Sequence, residues 1–205
     1  MNRSPNLLKQ ILVAIVSCLA VILIHSIAPI QAQSQPVVAV KTVYYPIKGA
    51  TAGQLRQQMN RLGPISQTSG QRFDARTDWY VRWNYQYLNQ ANSCQLTAIR
   101  VRADVSVTLP QWKQPANAAK GLVNRWNQYI KALRLHEDGH KDNGIATSQE
   151  ILQLLKRFPA KSSCSELGVA ANKAAQGIIS QYNQRDLDYD RKTQHGVTQG
   201  AVFSG

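Results

Sequence analysis

Residues 79–109 read WYVRWNYQYLNQANSCQLTAIRVRADVSVTL. Two runs in this stretch alternate in polarity. Trp79, Val81, Trp83, Tyr85 and Tyr87 fall on one face of the first, with Arg82, Asn84 and Gln86 on the other. Ile99, Val101, Ala103, Val105, Val107 and Leu109 share a face of the second. Strand side chains point to opposite faces in turn, so this period predicts two strands with one buried face. The polar link between them predicts an antiparallel hairpin. The aromatic row is read as core, because a half-buried strand requires such alternation; a ligand platform is the other reading.

Past Pro110 and Pro115 the period becomes helical. Leu122, Trp126, Tyr129, Ile130 and Leu133 form an apolar stripe. The same stripe continues through His136, Glu137 and His140 to Ile151, Leu154, Leu155 and Phe158, and Pro159 ends it. Ser163 to Glu166 has the form of a capping box and opens a last helix, with Leu167, Ala171, Ala174, Ile178 and Tyr182 inward. Upstream of the hairpin, residues 37–45 (VVAVKTVYY) read as a strand. Thr51 then caps a short helix carrying Leu55, Met59 and Leu62, which Gly63-Pro64 stops. Residues 65–77 have no period and read as loop.

Residues 136–140 are His136-Glu137-Asp138-Gly139-His140, an H-E-x-x-H segment in a chain with four His and three Glu. On a helix, positions i and i+4 share a face, so both imidazoles can bind one zinc ion. The Glu between them is placed to act as general base. Because these residues lie on the inward stripe, the competing reading is a core histidine pair. Two imidazoles and a carboxylate are costly to bury without a metal or partners, which favours zinc.

A catalytic zinc takes three protein ligands and leaves a position open. A third His six residues after His140 is ruled out, because that position is Ala146. Glu150 would lie about 15 Å away along one helix, and Glu166 is explained by capping. His195 is reachable. About 21 residues separate His136 from Arg157, so an antiparallel last helix draws level with His136 near Asp186. Asp188, Tyr189, Asp190 and His195 then emerge beside the motif. His195 is the expected third ligand. Asp190 is the alternative, as ligand or as acceptor for a ligating imidazole. Tyr189 is a candidate oxyanion donor, its other reading being packing.

The N-terminus looks like a targeting segment. Arg3 and Lys9 precede an apolar run at residues 11–24, ILVAIVSCLAVILI, and Ala32 closes a cleavage site. A membrane span needs about 20 apolar residues, so residues 1–32 are read as a signal peptide; an uncleaved anchor is the alternative. Residues 33–205 are read as one domain, periplasmic or extracellular. In an exported chain Cys94 and Cys164 are expected to pair; a zinc-ligand role lacks the C-x-x-C spacing. The formal charge of +13 makes an anionic cell-envelope surface a candidate partner, the favoured reading being simply a soluble basic surface. With basic residues scattered singly, nucleic acid binding is not expected.

These residues resemble a family of predicted bacterial secreted zinc-dependent proteases, long catalogued as a domain of unknown function. The resemblance covers most of residues 33–205. It rests on the H-E-x-G-H segment and on Tyr189-Asp190-x-x-Thr193-x-His195-Gly196, and it implies a zinc peptidase.

The expectation is therefore an α+β, zincin-like metallopeptidase: an antiparallel sheet packed on two long antiparallel helices, strands mostly in 33–112 and helices mostly in 113–196. It is expected to be a monomer acting on a peptide or protein substrate through Zn2+, with His136, His140 and His195 as ligands, Glu137 as base and Tyr189 as helper. A zinc-stabilised envelope protein without activity, and a metallohydrolase of a non-protein amide, are the other functional readings.

Overall fold

The alternating stretch folds as the expected hairpin. Strand β2 spans Arg76–Gln90 and β3 spans Ser93–Trp112, paired antiparallel with Trp79 opposite Val105 and Val81 opposite Ala103. The two-residue turn puts Asn92 at φ 58°, a left-handed conformation that Asn tolerates. The computed structural model describes residues 33–66 and 70–205. The expected signal peptide lies outside these residues.

The fold is α+β. Among the described residues it has three strands, three α-helices and a short 3-10 turn. The sheet is not purely antiparallel, which corrects the expectation. Its order is β1-β3-β2, with β1 (Val37–Ile47) parallel to β3. The reason is where the connection after β1 lies. Ile47 pairs with Trp112 and Arg76 pairs with Thr108, so β1 ends at the same end of the sheet where β2 begins. The short helix α1 (Ala52–Leu62), capped by Thr51, turns the chain there. β2 then runs back, and β3 returns between the two in the direction of β1. Alternation gives each strand's faces but not its neighbours, so the insertion of β3 left no mark in the sequence.

Two long helices cover one face. Helix α2 (Lys120–Lys156) has 37 residues, about 55 Å at 1.5 Å per residue. Helix α3 (Cys164–Thr193) packs antiparallel beside it: Asp186 meets His140, while Ala171 and Ala175 join Ile151 and Leu155. Ser163 caps α3 by accepting from the Glu166 amide at 3.2 Å, whereas the Glu166 side chain turns to Ser162 rather than closing the capping box.

The core under the helices is in two parts. One gathers Ile47, Leu55, Met59, Leu109, Trp126, Tyr129 and Phe203; the other gathers Val81, Val101, Ile151, Leu155, Ala171 and Tyr182. Each fully buried Leu, Ile or Phe contributes about 1.5–3 kcal/mol relative to exposure. Between the two parts the inward stripe of α2 turns polar: His136, Glu137, His140, Thr147 and Ser148 are all buried. Thr147 and Ser148 satisfy themselves by donating to the carbonyls of Asn143 and Ile145. The histidines and the glutamate have no such local outlet and take partners from other elements.

A disulfide joins Cys94 at the hairpin turn to Cys164 at the start of α3, across 70 residues. Closing such a loop stabilises by roughly 4 kcal/mol on the chain-entropy account. The bond is of the kind that persists in exported proteins. Among the described residues no helix is long and apolar enough to cross a membrane.

Candidate metal centre

The spacing of the motif places His136 and His140 one turn apart on α2, and both are buried. The facing turn of α3 brings up Asp190. Its Oδ1 lies 3.1 Å from Nε2 of His136 and 3.1 Å from Nε2 of His140. These three side chains each offer one donor atom, all within 4.8 Å of one another, and form the group among the described residues that could hold a metal ion.

The far side of each imidazole is also fixed. Nδ1 of His140 lies 3.0 Å from Asp186 Oδ1. A carboxylate only accepts, so Nδ1 carries a hydrogen, and Nε2, facing the Asp190 carboxylate, either carries a proton of its own or offers its lone pair to a cation. Nδ1 of His136 lies 3.1 Å from Gln199 Oε1 and 3.3 Å from Thr193 Oγ1. With both hydrogens on Nδ1, two nitrogen lone pairs and one carboxylate oxygen converge. Such a set is attractive only around a proton or a cation. Without a cation, burial would lower the His140 pKa, but hydrogen bonds to Asp186 and Asp190 outweigh it and carry it to about 10. Burial likewise opposes the Asp190 charge, yet His136 and His140 hold its pKa below the usual carboxylate range.

His195 stands one step outward. Its Nδ1 is 3.3 Å from the same Asp190 oxygen, its side chain is 57% exposed, and its ring packs 5.2 Å from that of Phe73. It is not one of the three grouped donors; Asp190, the alternative in the sequence, is. Gln194, His195 and Gly196 all have positive φ. This left-handed run ends α3 and folds the chain into the 3-10 turn Val197–Gln199, which delivers Gln199 to His136. Gly196 is needed there: at φ 86° a Cβ would be strained and would also sit 3.1 Å from the His136 side chain.

Tyr189 is wedged between the imidazoles. Its ring stacks on His136 with centroids 5.1 Å apart and meets His140 edge-on at 5.1 Å. The close approach depends on Gly139, where a Cβ would come within 2.4 Å of the ring. The hydroxyl accepts from Gln199 Nε2 at 3.0 Å.

Glu137 is buried on the same helical face and accepts from Thr77 Oγ1 at 2.7 Å through Oε2. Burial raises its pKa, against the Thr77 hydrogen bond and the nearby histidines. Three contributors escaped the sequence reading. Thr77 lies in the stretch 65–77 that has no period, and neither Gln199 nor Asp186 belongs to a motif. No periodic signal marks any of them.

Fold and group together define an α+β protein with a potential His-His-Asp metal centre between its two long helices. Residues 42–196 match the model of the family described as bacterial protein of unknown function, DUF922. The chain belongs to that family. Searches of curated proteins and of solved structures each gave no match.

Proposed function

We propose that this chain is an exported, zincin-like zinc peptidase, with zinc held by His136, His140 and Asp190. One observation carries the reading: two Nε2 atoms of α2 and a carboxylate oxygen of α3 converge, with a second carboxylate, the buried Glu137, next to His136 on α2. Two imidazoles and a carboxylate are a donor set of catalytic zinc, and three protein donors leave a position for a reactant.

Zinc, when bound, supplies Lewis acidity that polarises a scissile carbonyl and makes water more acidic. Glu137 takes the proton of the attacking water and passes it to the leaving amine. Its burial suits it to the task, because a raised pKa strengthens a carboxylate as a base near neutral pH. Thr77 holds Oε2 and so fixes the carboxylate plane. His195, beside Asp190, is the other donor within reach. An oxyanion role for Tyr189 requires its hydroxyl to exchange Gln199 for the substrate. An extended peptide can add to the outer edge of β2, whose inner edge is taken by β3. Without Arg3 and Lys9 of the signal segment the formal charge falls by two, from +13 to +11, which supports contact with anionic envelope polymers.

The test is zinc analysis of the mature protein, followed by a peptide-library digest of wild type beside Glu137→Gln. The expected result is zinc in both and hydrolysis in wild type only. Zinc in both with hydrolysis in neither supports the inactive, zinc-stabilised alternative, and equal hydrolysis removes Glu137 as the base.

A further inference from the structure

We infer that Asp186 is the residue that sets the metal affinity of the centre by positioning and polarising His140, and that Trp79 of β2 is its anchor. The inference rests on His136, His140 and Asp190 holding the metal, but not on hydrolysis. Both carboxylate oxygens of Asp186 are engaged by three donors from two other elements. Oδ1 accepts from His140 Nδ1 at 3.0 Å and from Asn143 Nδ2 at 2.6 Å. Oδ2 accepts from the Trp79 indole Nε1 at 2.6 Å. The carboxylate is therefore locked in one orientation before any metal arrives.

The two imidazoles differ in what stands behind them. His136 has an amide oxygen, from Gln199; His140 has a full negative charge. A carboxylate behind an imidazole fixes its tautomer and strengthens the opposite nitrogen as a donor, typically by about 10–100-fold in metal affinity. An amide fixes the tautomer with less polarisation. The unequal backing makes His140 the stronger nitrogen donor of the pair.

Trp79 extends this control into the sheet. It lies two residues from Thr77, so one face of β2 reaches both Asp186 and Glu137. The indole fits because position 144 is glycine: a Cβ there would meet the Trp79 side chain at 2.7 Å. Strand β2 thus braces the ligand side and the base side of the centre with two residues of one face.

The experiment measures zinc dissociation constants by chelator competition for wild type, Asp186→Asn, Trp79→Phe and Gln199→Ala, with circular dichroism of each metal-free protein. Asp186→Asn keeps the shape and removes the charge. It is expected to weaken zinc binding about 10–100-fold with the fold retained. Trp79→Phe should weaken it severalfold, Gln199→Ala less than Asp186→Asn, and the visible spectrum of the Co2+-loaded protein should shift in Asp186→Asn. A folded Asp186→Asn with affinity within twofold of wild type and an unchanged Co2+ spectrum overturns the inference and leaves the zinc reading standing. If Asp186→Asn does not fold, Trp79→Phe decides: affinity within twofold of wild type overturns the inference. Failure of wild type itself to bind zinc overturns both.

Discussion

Helix α2 touches two acid-centred clusters, and they are built differently. Near its N-terminal half, Asp74 receives Arg56 through both guanidinium nitrogens at 2.8 and 2.6 Å and the Tyr129 hydroxyl at 2.6 Å, while Tyr45 donates to its backbone carbonyl. Arg56 also donates to the Phe203 carbonyl, so the C-terminal segment is held by the same group. Two turns further on, Asp190 faces imidazole nitrogens at 3.1, 3.1 and 3.3 Å. Every polar atom around Asp74 is a committed donor: burial opposes the Arg56 charge but Asp74 keeps its pKa raised, and burial together with Asp74 pushes both phenols up. Around Asp190 the neighbours are groups that can give up their protons. The first cluster is closed by its own charges. The second is a group that a cation could complete.

Removing each acid should separate the clusters most clearly. Asp190→Ala is expected to weaken zinc binding by more than about 100-fold, beyond the range of outer partners, while Asp74→Ala leaves it within twofold; dialysis against a chelator followed by metal analysis reads both. If instead Asp190→Ala keeps its zinc and His195→Ala loses it, His195 is the third ligand. The next effect is on stability. Asp74→Ala leaves a partly buried guanidinium and a phenol unpaired, an expected loss of about 2–3 kcal/mol seen in denaturant midpoints of the metal-free protein. Asp190→Ala should move that midpoint far less, and zinc at 100 times its wild-type dissociation constant should restore about 2.7 kcal/mol to Asp74→Ala but at most about 0.4 kcal/mol to Asp190→Ala.

Acidity should divide them again. The imidazoles must be free of protons at Nε2 to bind metal, so zinc affinity should fall at least about tenfold per unit as pH drops from 7 to 5. The contribution of the Arg56–Asp74–Tyr129 cluster should stay flat over that range, since its guanidinium and phenol do not titrate there. A flat zinc affinity would argue against imidazole ligands. The smallest effect expected is from Thr77→Val, which frees the Glu137 carboxylate: a fall in kcat of about tenfold with zinc content unchanged. An unchanged rate would remove Thr77 from the mechanism.

The contrast also explains what could be read from the sequence. Patterns that repeat were legible: the alternation in 79–109, the stripe through His136 and His140, the Thr51 and Ser163 caps, and the two helices of opposed direction. The antiparallel return correctly brought Asp190 and His195 to the motif. Contacts made once by one residue were not legible. Thr77 and Asp186 act through hydrogen bonds to partners far away in the chain, and Gln199 depends on three left-handed residues in succession. The parallel pairing of β1 was hidden for the same reason: period two fixes a strand's faces and says nothing of its neighbour.

Gly139 and Tyr189 behave as one position shared by two helices. A methyl group at 139 would occupy the space of the phenol ring, so any larger residue there must expel Tyr189 and with it the stack on His136. In natural variants of this chain the two sites should therefore change together or not at all. A bulkier residue in place of Gly139 would be matched by a smaller one in place of Tyr189, a pairing that can be looked for wherever the second helix is retained.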